Sequence, residues 1–164
     1  MQTRYNDQRD HMQALYNSSF TQRWHTHPRL ARMGQTLGHH QWGCAALLSQ
    51  LHPAPSSALL LAALFHDVGE SETGDTPYNA KRKHGDLFGA VEKEAQERIS
   101  GHAFVLSDED QLWLKLVDRL ESWMFVALHA PDLLQTADLQ SCRDHIMAMA
   151  RALGVAEQVW GVVQ

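Results

Sequence analysis

The sequence predicts an all-α fold, and three observations carry that prediction. Apolar residues recur at spacings of three and four over long stretches, the period of a helix with one buried face. No alternating run rich in Val, Ile, Thr and aromatic residues is longer than Phe104-Val105-Leu106, so strand signals are lacking. Proline, glycine and serine fall at the edges of the periodic stretches, where helices start and stop. In chain order, Leu37, Trp42, Ala45, Leu48 and Leu51 place a helix over 35–51. Pro53 and Pro55 end it, and Ser56 and Ser57 are candidate caps for a second helix running to about Asp67, apolar nearly all round. Val68 to Gly85 holds three glycines and a proline and reads as a long connection. Asp86 to about Ser100 is amphipathic, with Gly101 as its stop. Ser107-Asp108-Glu109-Asp110 supplies a cap and an acidic first turn for a helix through about Leu128. After Pro131, Leu133 to Leu153 reads as one more helix ended by Gly154. The expectation is one compact domain over 1–164, built from about six to seven helices, with no repeat or linker dividing it.

Composition narrows the function classes. The chain has 164 residues, 44% hydrophobic and 20% charged, with a net charge of −5. That apolar content is normal for a folded domain and excludes disorder as the main state. Mild acidity argues against a nucleic-acid polymer as partner. The longest uncharged apolar stretch, Ala54 to Phe65, is far short of the roughly 20 residues of a membrane span. Residues 1–13 carry Arg4, Asp7, Arg9, Asp10 and His11 rather than an apolar signal region. Cys44 and Cys142 are far apart and match no metal or disulfide framework, and each falls in an apolar helical pattern. A soluble, cytoplasmic protein is expected.

The chemistry begins at His66-Asp67, directly after Leu59-Leu60-Leu61-Ala62-Ala63-Leu64-Phe65. An imidazole and a carboxylate at the end of so apolar a helix are costly unless something satisfies them. A divalent cation would, since both are ordinary ligands; a histidine paired with its neighbouring acid is the alternative. Glu70 shares their face if the helix persists one more turn. Upstream, His40 sits in the preceding helical pattern. Downstream, Asp118 interrupts a face made by Leu114, Val117, Glu121 and Phe125. The separations allow three successive helices to meet at one point, where two His and two Asp could hold a metal with positions left open for water.

The order His40, His66-Asp67, Asp118 resembles the H…HD…D pattern of the HD-domain metal-dependent phosphohydrolases. Within them the chain is similar to the small deoxynucleotide phosphohydrolases, the YfbR-like 5′-deoxynucleotidases and the phage dATP triphosphohydrolases. Five blocks carry the resemblance: Arg23-Trp24; Thr36-Leu37-Gly38-His39-His40-Gln41-Trp42; Leu64-Phe65-His66-Asp67-Val68-Gly69-Glu70; Thr73-Gly74-Asp75-Thr76-Pro77-Tyr78-Asn79-Ala80-Lys81-Arg82; and Lys115-Leu116-Val117-Asp118-Arg119-Leu120-Glu121. They span roughly residues 23 to 125.

That resemblance implies an all-helical fold and metal ligation by His40, His66, Asp67 and Asp118. It implies Glu70 as the proton-transfer residue, with Asp75 either assisting the water or capping its own turn. Arg23 and Lys81 would take phosphate, Arg23 by bidentate hydrogen bonds, while Trp24 would stack on or wall the base and Thr26, Pro77 and Tyr78 would shape the pocket. Co²⁺, Mn²⁺ or Zn²⁺ is implied at the His-Asp site, with additional Mg²⁺ on a triphosphate tail. The implied substrate is a small deoxynucleotide. A dNTP, hydrolysed to deoxynucleoside and triphosphate, is favoured over a dNMP, and a non-catalytic, metal-stabilised nucleotide-binding module is the reading from a different class. The implied location is the cytoplasm, or the host cytoplasm for a phage-encoded chain. Two departures stand out. His39 occupies a position where the family usually has an acid, which makes His39 and His40 rival ligands about 100° apart on one helix; alignment through Trp42 favours His40. Arg29 to Gly34 gives no clear match. Val159, Trp160, Val162 and Val163 suggest a homo-oligomer, or a tail packed on its own core.

Overall fold

The computed structural model describes residues 8–76 and 78–164, without the side chains of 78–82 and 84–88. Its elements are α1 (Gln8–Ser18), α2 (Leu37–Leu51), α3 (Ser57–Phe65), α4 (Glu70–Thr73), α5 (Tyr78–Ser100), α6 (Asp108–His129), α7 (Ala137–Ala152) and α8 (Ala156–Val163), with 3₁₀ turns at Leu30–Met33 and Pro131–Gln135. Among the described residues β pairing amounts to one isolated antiparallel bridge, Gln22 with Thr36. The fold is all-α, as the periodicity predicts. No helix among the described residues is long and apolar enough to cross a membrane. Contacts divide the chain into two compact units, one made of residues up to Gln41 with Phe65–Phe104, the other of Trp42–Leu64 with Val105–Gln164.

The second unit is organised by its apolar stripes. On α6, Trp113, Leu116, Val117, Leu120 and Trp123 follow the helical period and are all buried. They join Cys44 and Leu48 of α2, Leu59 and Ala63 of α3, Ile146, Met147 and Ala150 of α7, and Val155, Val159 and Val163 in one core. Each fully buried leucine side chain contributes about 1.5–3 kcal/mol. The start of α6 is set by Ser107, whose side chain accepts from the Asp110 N–H at 3.1 Å. Gly154 ends α7 as expected: it is left-handed (φ 75°), and Val155 N–H donates to Ala150 O at 2.9 Å while Gly154 N–H donates to Arg151 O at 3.2 Å. The final apolar run divides, with Val159 and Val163 buried on this core and Trp160 and Val162 exposed.

The first unit has a smaller apolar cluster, Val68, Ala95 and Ile99, flanked by Ala14, Leu15 and Phe65. Its buried set also includes Arg23, Gln35, His40, Glu70, Thr76 and Gln96. Gly69 makes this packing possible. A Cβ there would fall inside the Glu92 carbonyl of α5, so the turn after α3 lies directly on the α5 backbone.

Three expected boundaries are corrected. The connection predicted for Val68–Gly85 instead holds α4, and α5 begins at Tyr78 rather than Asp86. Gly85 and Gly89 stay inside that helix, at a cost of roughly 1 kcal/mol each relative to alanine. The helix predicted to reach Asp67 ends at Phe65, and residues 66–69 form turns with Val68 N–H on Phe65 O and Glu70 N–H on Asp67 O. The stretch Leu133–Leu153 is broken at Thr136, which is extended (φ −71°, ψ 150°) and donates its hydroxyl to Leu133 O at 2.8 Å.

Candidate metal centre and its flanking arm

In the first unit, α2 delivers His40 and the turn after α3 delivers His66 and Asp67. His40 is completely buried, and its Nε2 lies 3.6 Å from Asp67 Oδ2. His66 Nε2 lies 3.4 Å from the same oxygen, with the two imidazoles 5.4 Å apart at 61°. Those separations are long for hydrogen bonds, which cluster near 2.9 Å. Ligands bonded to one ion at about 2.1 Å stand roughly 3.0–3.4 Å from one another, close to what is seen. Two imidazoles and one carboxylate oxygen converging in this way suit a borderline divalent cation. Of the two neighbouring histidines, His39 is exposed, and His40, the one favoured through Trp42, lies against Asp67.

Glu70 opens α4 and is 1% exposed. The sequence places it on the His66-Asp67 face by continuing the helix; the chain gets there through a turn instead, with Glu70 N–H bonded to Asp67 O at 2.9 Å. Gly69, seated on α5, fixes where that carboxylate starts.

In the second unit, α6 carries Asp118, half-buried, and its carboxylate lies within 4.8 Å of the Cys44 thiol. Cys44 Sγ also donates to Val117 O at 3.8 Å. Sequence reasoning took Cys44 as a plain core thiol. The signal it offered was its position four residues after His40, one turn along the same helix. Cys142, on α7, has its thiol pushed above the ordinary value by burial, with Arg119 opposing and Asp118 reinforcing the shift. Glu121 is buried, and Gly43 admits its side chain: a Cβ on Gly43 would sit 2.7 Å from Glu121 Cγ.

Before α2 the first unit folds an arm that holds Arg23 and Trp24. Leu37 N–H bonds Thr21 O at 2.9 Å and Arg23 N–H bonds Gln35 O at 2.9 Å, pinning residues 21–23 to the entry of α2. Asp75 grips the arm from the segment after α4. Its Oδ2 accepts from the Trp24 backbone N–H at 2.7 Å, and its Oδ1 lies 3.8 Å from Arg23 Nε. The guanidinium stacks over the Trp24 ring at 5.6 Å. Trp24 itself is left-handed (φ 59°), a rare state for a bulky residue. Gln35, which sequence reasoning did not single out, is 1% exposed and accepts from the indole N–H at 2.6 Å. Thr26 is exposed, in a turn closed by His27 N–H on Trp24 O. His27 accepts at Nδ1 from Leu30 N–H at 3.1 Å and so caps the 3₁₀ turn. Pro77 and the side chains of Tyr78 and Lys81 lie outside the described residues.

The geometry defines a class: a helical domain with two histidines and an aspartate set for a divalent cation and a buried acid beside them. Residues 37–123, more than half of the chain, match the HD domain. The chain belongs to the HD-domain family, whose members are generally metal-dependent hydrolases. His40, His66, Asp67, Glu70, Asp75 and Asp118 fall inside the matched segment; Arg23 and Trp24 precede it. No match is found among curated proteins or among solved structures.

Proposed function

We propose that the chain is a metal-dependent phosphohydrolase of deoxynucleotides, converting a dNTP and water to deoxynucleoside and triphosphate. The observation that carries the reading is the convergence of His40 Nε2 and His66 Nε2 on one Asp67 oxygen at 3.6 and 3.4 Å, inside the HD-domain segment. Asp118 is the further ligand that the family pattern of His40, His66-Asp67 and Asp118 implies. A divalent cation so held would acidify a water and polarise a phosphoryl oxygen.

The chain's own residues supply the rest. Glu70, a buried carboxylate, takes the proton of the attacking water. Arg23 presents a guanidinium to the phosphate tail, and Lys81 adds a second cation from α5. Asp75, with one oxygen on Trp24 N–H and the other toward Arg23, orients that arm. Trp24 walls the base. A buried acid next to the donor set favours an enzyme over a passive metal-stabilised binding module, because an unused buried carboxylate only costs stability.

A second reading, hydrolysis of dNMPs to deoxynucleoside and phosphate, draws on the cation content. Among the described residues Arg23 is the buried guanidinium of this unit, and Asp75 offsets part of its charge. A panel of dNMPs and dNTPs assayed with Co²⁺, Mn²⁺, Zn²⁺ or Mg²⁺ separates the readings by product. Inorganic triphosphate is expected; free phosphate from dNMPs would favour the second reading, and no turnover of any nucleotide with any of these metals would sink both.

A further inference from the structure

Trp24 is left-handed, and nothing in its own chemistry favours that conformation. Strained backbone of this kind persists only where the surroundings over-determine it. Here two hydrogen bonds hold the residue at different atoms, beside the His27 N–H on its carbonyl and Arg23 over its ring. Asp75 holds the backbone N–H at 2.7 Å, and Gln35 holds the indole N–H at 2.6 Å. The first sets where the residue sits; the second sets the plane of its ring. Gln35 is almost wholly buried and its backbone carbonyl also receives Arg23 N–H, so it has little freedom of its own. A ring fixed by a buried acceptor presents one face at one angle, and the ordering of a flexible side chain no longer opposes ligand binding.

We infer that Gln35 is a positioning residue for nucleotide recognition: its side-chain carbonyl locks the Trp24 indole into the orientation that receives the base. The inference rests on the deoxynucleotide reading, and it separates base recognition from phosphate recognition within one arm. Loss of the acceptor therefore weakens binding of the nucleotide as a whole and leaves binding of a bare phosphate chain as it was. Arg23, gripped by Asp75 and by the Gln35 backbone rather than its side chain, keeps its place.

The test uses the full chain labelled with 5-fluorotryptophan, the Trp24 line being assigned from Trp24→Phe. In the wild type that line is expected to be narrow and to move with dATP but not with inorganic tripolyphosphate. In Gln35→Leu it shifts or broadens before any ligand is added. The dATP affinity falls roughly five- to tenfold, as for one buried hydrogen bond, while the tripolyphosphate affinity stays within twofold. Under turnover the same loss appears in KM, with kcat within about twofold, since the bond acts equally in ground and transition states. Gln35→Glu, which keeps an acceptor at the same distance, recovers most of the affinity. In a Trp24→Phe background Gln35→Leu has no further effect on dATP. A Gln35→Leu protein with wild-type Trp24 line and wild-type dATP affinity overturns the inference and leaves the deoxynucleotide reading standing. A wild type that binds no nucleotide overturns both.

Discussion

The two units are held together by different means. The second buries fifteen residues in one apolar core, drawn from five helices and their flanks. Among the described residues, the first buries three in its apolar cluster, and elsewhere a guanidinium, a carboxylate, an imidazole and three glutamines. In the second, most of the stability is area removed from water, which is non-directional and tolerant of small shifts. In the first, position is set by directed bonds: Asp75 to Trp24, Gln35 to Trp24, Thr76 to Glu92 at 2.8 Å. The contrast teaches where each kind of damage should appear. Substitutions in the apolar unit should cost folding, and substitutions in the polar unit should cost chemistry and barely touch folding.

The sharpest break of that contrast is at the donor set. Asp67→Asn and His66→Ala are expected to lose bound metal and at least a thousandfold in turnover, about 4 kcal/mol. Elemental analysis checks the first part, and unchanged metal content would remove these residues from the ligand set. Glu70→Gln comes next, with retained metal and turnover down by roughly 10²–10⁴, the usual worth of a general base. Because it removes a buried charge, its melting temperature should hold or rise. A clear fall would place Glu70 among the structural residues instead. Leu120→Ala in the apolar unit is expected to cost about 2–5 kcal/mol, lowering Tm by roughly 5–15 °C with turnover per folded molecule preserved below the transition. The smallest effect belongs to Ser107→Ala, about 1 kcal/mol from the lost cap, visible in urea midpoints and absent from kinetics.

Much of the apolar unit is written locally. The stripe from Trp113 to Trp123, the Ser107 cap and the Gly154 stop each depend on residues within a turn or two, so periodicity and capping rules reach them. His66-Asp67 was legible for a related reason, since a polar pair closing so apolar a helix demands a partner. The missed features depend on distant contacts. The backbone of Trp24 is set by Asp75, 51 residues away, and no local rule assigns a left-handed state to tryptophan. The early start of α5 was hidden by Gly85 and the run Lys81-Arg82-Lys83, which read as a connection when the packing of the helix is unknown. Gln35 reads in sequence as the polar first residue of a helical pattern; its burial makes it consequential.

Gly69 shows how narrowly the polar unit is constrained. The hydrogen atom at its α-carbon is the whole clearance between the turn bearing His66, Asp67 and Glu70 and the α5 backbone beneath it. In a saturation library selected for turnover, position 69 should therefore behave as a one-letter site, accepting nothing but glycine although glycine has no side chain to offer a ligand. Leu120 and its neighbours should admit several apolar letters. Sequence drift in this chain has a floor under the turn, set by the thickness of one missing methyl group.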